Sequence, residues 1–278
     1  MKTFMGHLWR VLISDRIWDG AAILSFYFLL SVFPALLMVF YGASLFPYEE
    51  LSAEFYVWSL SYIPEGFRET FSQATLSVKD QDKLSLVSLT FLASLWTAIS
   101  GISAVIRQLN LVFRYSESRG YISIKLKSLG LALCLGLVLF LAFALLLMGK
   151  FFTSFLFEWA NIPQHLNLVV MGLRFLVLGG LSTVVFGLIY SLGPCGKKQI
   201  HLFSLGSVFG ALAFIASTQA FAFYLNNYGT YNKVYGQIGT FVGLIMWFYI
   251  LGFLLIFGAE INVALKNAKV SGGRVKTT

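Results

Sequence analysis

The stretch from Tyr228 to Leu265, YGTYNKVYGQIGTFVGLIMWFYILGFLLIFGAEINVAL, decides how the rest of the chain is read. From Ile238 to Ala259 it holds 22 consecutive residues without Asp, Glu, Lys, Arg or His. A helix needs roughly 20 predominantly apolar residues to cross the hydrocarbon layer of a bilayer, so this run reads as a membrane span. A polar loop rich in Tyr and Gly leads into it, and Gly258, Ala259, Glu260, Ile261 and Asn262 close it. At about 100° per residue, Tyr235, Gly239, Met246, Tyr249 and Glu260 fall within an arc of roughly 80°. One face would then carry hydroxyls, a small-residue gap and a carboxylate.

The composition extends this reading to the whole chain. Of 278 residues, 58% are hydrophobic and only 12% charged, and the mean hydropathy is +0.79, well outside the range of soluble globular domains. A net charge of +8 would suit nucleic acid, but Lys and Arg gather at alternate ends of the apolar segments, as the positive-inside rule requires. No nucleic-acid partner is expected. Cys134 and Cys195 form neither a disulfide framework nor a metal-ligand spacing. His7, His165 and His201 are scattered, and neither a phosphate-binding GxxxxGKS loop nor a GxSxG turn occurs. The expectation is therefore no catalytic, cofactor or metal site, and no enzyme. The N-terminus lacks the short apolar core and cleavage site of a removable signal peptide.

Taken in order, the chain predicts an all-α polytopic membrane protein with six transmembrane helices and both termini cytoplasmic. Residues 1–19 read as a cytoplasmic interfacial helix, with Phe4, Leu8, Val11 and Leu12 on one side and Arg10 and Arg16 near head groups. The first span runs from about Gly20 to Phe46, and Pro34 removes a backbone donor near its middle, predicting a kink. Residues 47–83 carry seven acids against three bases and aromatics at helical spacing, which predicts an amphipathic outer segment. Spans follow from about Leu84 to Leu111, Ser128 to Phe157, Leu166 to Leu192 and Leu202 to Leu225, before the one quoted above. Residues 266–278 form a basic cytoplasmic tail. This orientation places 14 of the 20 basic residues inside. Gly206 and Gly210 stand at GxxxG spacing, and with Gly239 and Gly243 they are read as helix-packing positions.

Candidates for a substrate or ion pathway are Glu260, Arg107, Asn110, Lys150, Arg174, Tyr235 and Tyr249. An ionisable group in or beside a span is expensive and marks a partner or a cavity. Glu260 has two readings, pairing with Arg107 or acting on substrate or protons. Arg107 and Asn110, three residues apart, share a helix face, and Arg107 has snorkelling to lipid phosphate as its alternative. Lys150 and Arg174 would form a cationic site for an anionic head group, or an ion-paired cluster with Glu158.

Tyr231, Asn232, Tyr235 and Gly236, then Gly239, Trp247 and the closing GAEIN, together with Ala21, Ala22, Phe26, Leu30, Ser31 and Pro34 in the first span, resemble the YihY/BrkB family of bacterial inner-membrane proteins. The resemblance covers essentially the whole chain. Members of that family once carried a ribonuclease BN label, regarded as misassigned, and others are linked to serum resistance or to envelope lipid transport. It implies an inner-membrane protein that translocates lipid or another anionic amphiphile, with membrane lipids as partners. The alternative is a non-transporting scaffold or regulator of envelope assembly, with a homo-oligomer or an assembly partner.

Overall fold

The computed structural model describes residues 2–13, 15–44, 84–138, 167–196, 201–227 and 237–274. Among them the secondary structure is helical: α1 Lys2–Ile13, α2 Asp15–Ser44, α3 Leu84–Val112, α4 Tyr121–Val138, α5 Asn167–Leu192, α6 Leu205–Asn227 and α7 Gln237–Arg274. The 47–83 segment, Lys150 and Tyr235 lie outside the described residues, as do the side chains of Pro34 and Arg174 and the surroundings of Gly239. The helix α2 itself runs through position 34 to Ser44.

Four helices meet the length and hydropathy of a membrane crossing within the described residues: Leu95–Val112, Tyr121–Val138, Leu205–Tyr224 and Phe241–Ala268. The apolar part of α5, Leu176–Leu192, is shorter. The last helix differs from its expected form. Helix α7 continues for 38 residues through the basic tail to Arg274, about 57 Å at 1.5 Å per residue, against roughly 30 Å of hydrocarbon. The basic tail therefore begins as the solvent end of the same rod.

Helix α7 is the hub: α1, α2, α3 and α6 all pack on it, α3 also packs on α2, and α5 joins through α6. The packing code is small against large. Gly252 lies where a Cβ would stand 2.9 Å from the carbonyl oxygen of Ala21 and 3.0 Å from the Leu24 side chain, which draws α2 onto α7. The Ser25 hydroxyl donates to the carbonyl of Ile245 at 3.0 Å and fixes the height of that crossing. The core around it collects Ile17, Leu24, Val105, Leu109, Tyr190, Leu255 and Ile256. The lipid-facing side stays apolar as well, with Leu176, Leu212 and Phe223 exposed, because the bilayer and not water is the solvent there.

At the start of the chain, α1 turns into α2 through the Trp18 indole, which donates to the Leu12 carbonyl at 2.9 Å. Trp18 then stacks on Phe253 and Tyr249 of α7, with ring centroids 4.8 and 6.4 Å apart. Leu8, Val11 and Leu12 are half-buried, while Met5, Trp9 and Ile13 form a second, exposed apolar stripe. Such a helix suits a membrane boundary better than bulk water.

Candidate functional site

The closing GAEIN of α7 is first of all a packing device. A Cβ on Gly206 of α6 would run into the carbonyl oxygen of Gly258 and the side-chain amide of Asn262. Gly258 in turn leaves room for the Tyr190 hydroxyl of α5. That tyrosine is fully buried and donates to the Leu255 carbonyl at 2.8 Å. Asn262 accepts the Gly206 backbone N–H at 2.9 Å, one of the first-turn donors that a helix cannot satisfy internally. Ser204 receives the Ser207 N–H at 3.2 Å as the N-cap. The N-cap serine and a side chain from α7 thus cap α6 together.

Gly258 and Asn262 are four residues apart and share a face, whereas Glu260 is turned about 200° from Gly258. Glu260 is half-buried and engaged. Met246 is 60% exposed, and Tyr249 lies against Trp18. The two GxxxG glycines serve different neighbours. Gly206 meets α7, while a Cβ on Gly210 would stand 2.7 Å from the Phe186 ring of α5. Gly243 sits 3.7 Å from Phe221 by the same measure, where α7 meets α6.

A second cluster knits two loops together at the end of the bundle where α3 and α5 terminate. Helix α3 stops in a Schellman turn: Tyr115 N–H reaches the Asn110 carbonyl at 2.9 Å, Arg114 N–H reaches that of Leu111 at 3.2 Å, and Arg114 takes φ 56°. Glycine is the usual residue there. The turn brings Glu117 back over Asn110, whose amide donates to the carboxylate at 2.7 Å and whose carbonyl accepts the Cys195 backbone N–H at 2.8 Å. Arg119 closes the cluster with two bonds of 2.6 Å to the two oxygens of Glu117. Lys127 of α4 donates to the Pro194 carbonyl at 3.1 Å. Tyr115 fills the space over Gly196, where a Cβ would collide with its ring.

Asn110 and Arg107, read as one face, therefore part company. Asn110 is 4% exposed and locked in this clasp. Arg107 is exposed, and its guanidinium lies 5.8 Å from the centroid of the Tyr27 ring on α2. Near it stands Lys125 of α4, whose ammonium donates to the Ser100 hydroxyl at 3.2 Å and lies over Trp96 and Tyr121 at 5.1 and 5.7 Å. Helix α4 crosses α3 where Ser103 and Ser128 bond at 2.9 Å. Among the described residues neither cation has a carboxylate partner. Two positive charges, one exposed and one half-buried, thus lie against aromatic rings.

Residues 8–277 match the profile of the family described as Virulence factor BrkB. The chain belongs to the BrkB family. Relatives of this BrkB-family membrane protein include the ribonuclease-like protein YfkH of Bacillus subtilis, 28% identical over 90% of each chain. A UPF0761 membrane protein of Idiomarina loihiensis is 30% identical over 68% of this chain and 64% of its own. Another, from Tolumonas auensis, is 27% identical over 95% of this chain and 85% of its own. No solved structure matches.

The Arg119 guanidinium, bonded to Glu117, holds this carboxyl at about 2, down from 4.5. A depressed carboxyl stabilises the fold above its unfolded value and loses that effect as pH falls through the folded one. The melting-temperature difference between the BrkB-family protein and its Glu117→Gln variant is therefore expected to be constant above about pH 5 and to shrink as pH falls from 4.5 toward 2. Thermal unfolding in detergent across that range checks this; a difference that changes between pH 6 and 8 contradicts it.

Sequence reading missed Tyr190, Lys125 and the Glu117–Arg119 pair as members of sites. Lys125 and Arg119 count there only as inside charges. Tyr190 gives no signal, since an aromatic in an apolar run looks like any other until a carbonyl from another helix is set against it.

Proposed function

We infer that the protein is a translocator of lipid or another anionic amphiphile in the bacterial inner membrane, with six spans and both termini cytoplasmic, and that it works without enzymatic chemistry. The observation that carries this reading is the pair Arg107 and Lys125, exposed to half-buried and without a carboxylate partner among the described residues. Arg119, by contrast, is neutralised by Glu117. Charges held open among aromatic rings suit an anion brought from outside the protein. Glu260 belongs to the reading as a member of the pathway on the hub helix. Lys150, Arg174 and Tyr235 stand as pathway candidates from the sequence alone.

The test is a flip assay on the full chain reconstituted in vesicles with a fluorescent anionic lipid. Transfer above that of protein-free vesicles is expected. The double variant Arg107→Gln/Lys125→Gln should slow it at least about tenfold, the effect of losing one or two charge-assisted contacts. No transfer by the unaltered protein would overturn the reading in favour of the scaffold.

A further inference from the structure

Beside Lys125 runs an open, almost wholly apolar furrow of about 470 Å³, lined on α3 by Leu92, Ala93, Leu95, Trp96, Thr97 and Ile99. That volume lies within the range of about 300–1,000 Å³ typical of small-molecule clefts. Trp96 belongs to both features. Its ring borders the furrow and also lies 5.1 Å from the Lys125 ammonium. The furrow therefore ends at a charge.

The second cation lies on the same side of α3. On α3, Trp96, Ser100 and Arg107 fall within an arc of about 40°. The Arg107 guanidinium lies over the Tyr27 ring of α2, and its charge acts on the Lys125 ammonium. Lys125 touches the Ser100 hydroxyl at 3.2 Å. A hydroxyl and an ammonium thus stand beside the apolar furrow, with a guanidinium farther along the same side of α3.

We propose that this junction is a phospholipid-binding site, with a lipid phosphate seated between Arg107 and Lys125 and one acyl chain laid along the α3 furrow beside Trp96. A phosphate oxygen accepts from both cations and from a hydroxyl without leaving a buried donor unpaired. The aromatic rings hold both cations in place while the site is empty, each by attraction to the ring face. Free phosphate would use only the charged end, and a zwitterionic lipid would bring its own cation toward Lys125. An anionic phospholipid fits both ends. The inference rests on the translocator reading, but it concerns binding alone.

Native mass spectrometry of the full chain in detergent, titrated with phosphatidylglycerol or phosphatidylcholine of equal chain length and with inorganic phosphate, tests it. Phosphatidylglycerol should be retained about tenfold better than phosphatidylcholine, a difference of one to two charge-assisted contacts. In Arg107→Gln/Lys125→Gln the two lipids should be retained alike. Ala93→Trp, which fills the furrow without touching either cation, should lower retention of both lipids. Arg107→Lys/Lys125→Arg keeps the charges and should keep the preference, which separates charge loss from misfolding. Undiminished phosphatidylglycerol retention in the Gln double variant overturns the proposal, as does inorganic phosphate competing at the concentration of the lipid. If the unaltered protein binds as described but flips nothing, the site stands and the translocator reading falls. If it flips lipid while the Gln double variant binds and flips like the parent, the reverse holds.

Discussion

Gly206→Ala is expected to be among the most damaging single-methyl substitutions in the chain. The added carbon falls on the carbonyl oxygen of Gly258 and on Asn262, and a backbone carbonyl in the middle of the hub helix cannot swing aside. Helices α6 and α7 would have to separate, which also breaks the 2.9 Å bond from Gly206 N–H to Asn262. Overpacking costs about 1–3 kcal/mol, occasionally more, and the orphaned first-turn donor adds about 1 kcal/mol or more. A loss of about 3 kcal/mol is expected. Gly130→Ala supplies the control, since nothing stands within 4 Å of its Cβ and alanine in a helix gains up to about 1 kcal/mol over glycine. Thermal unfolding in detergent measures both. A Gly206→Ala protein that melts with the parent would show that α6 and α7 are not in close contact.

Asn110→Ala carries the second large effect, because one buried side chain serves two loops. Its amide donates to Glu117 and its carbonyl accepts Cys195 N–H. Removing it strands a backbone donor and releases one side of a carboxylate, for about 2–3 kcal/mol. Asn110→Asp separates shape from chemistry. It keeps the acceptor for Cys195 but sets a second carboxylate beside Glu117 Oε2, where the amide now stands at 2.7 Å. The aspartate variant should therefore be at least as unstable as the alanine variant at neutral pH, and limited proteolysis should cut first at 113–120 and 193–196. An aspartate variant as stable as the parent would place Glu117 elsewhere.

Both predictions concern residues that the sequence marked, one as a packing glycine and the other as a pathway polar group. For Gly206 the reading needed only spacing, because small residues four apart on an apolar helix allow close approach whatever the neighbour. The identity of the neighbour was not legible: Gly206 meets α7 and Gly210 meets α5. For Asn110 the pattern was misleading. Three residues from Arg107, it shares a side of α3 on a helical wheel, yet the Schellman turn folds Glu117 over one residue and leaves the other exposed beside Tyr27. A wheel has no end effects. The chain reversal just past Val112 is what divides the two.

Class and family are matters of composition and order. An apolar run of 22 residues and the GAEIN that closes it are local. The cost of exposing apolar groups to water or unpaired backbone to lipid acts on each segment by itself. The roles of single polar groups are not local. Whether Lys125 is a topology charge or half of an anion site, and whether Asn262 is a motif letter or the cap of α6, depends on which partner another helix brings within about 3 Å. Hydrogen bonds and charge pairs are short-ranged and directional, so only the tertiary arrangement of α3, α4, α6 and α7 decides them.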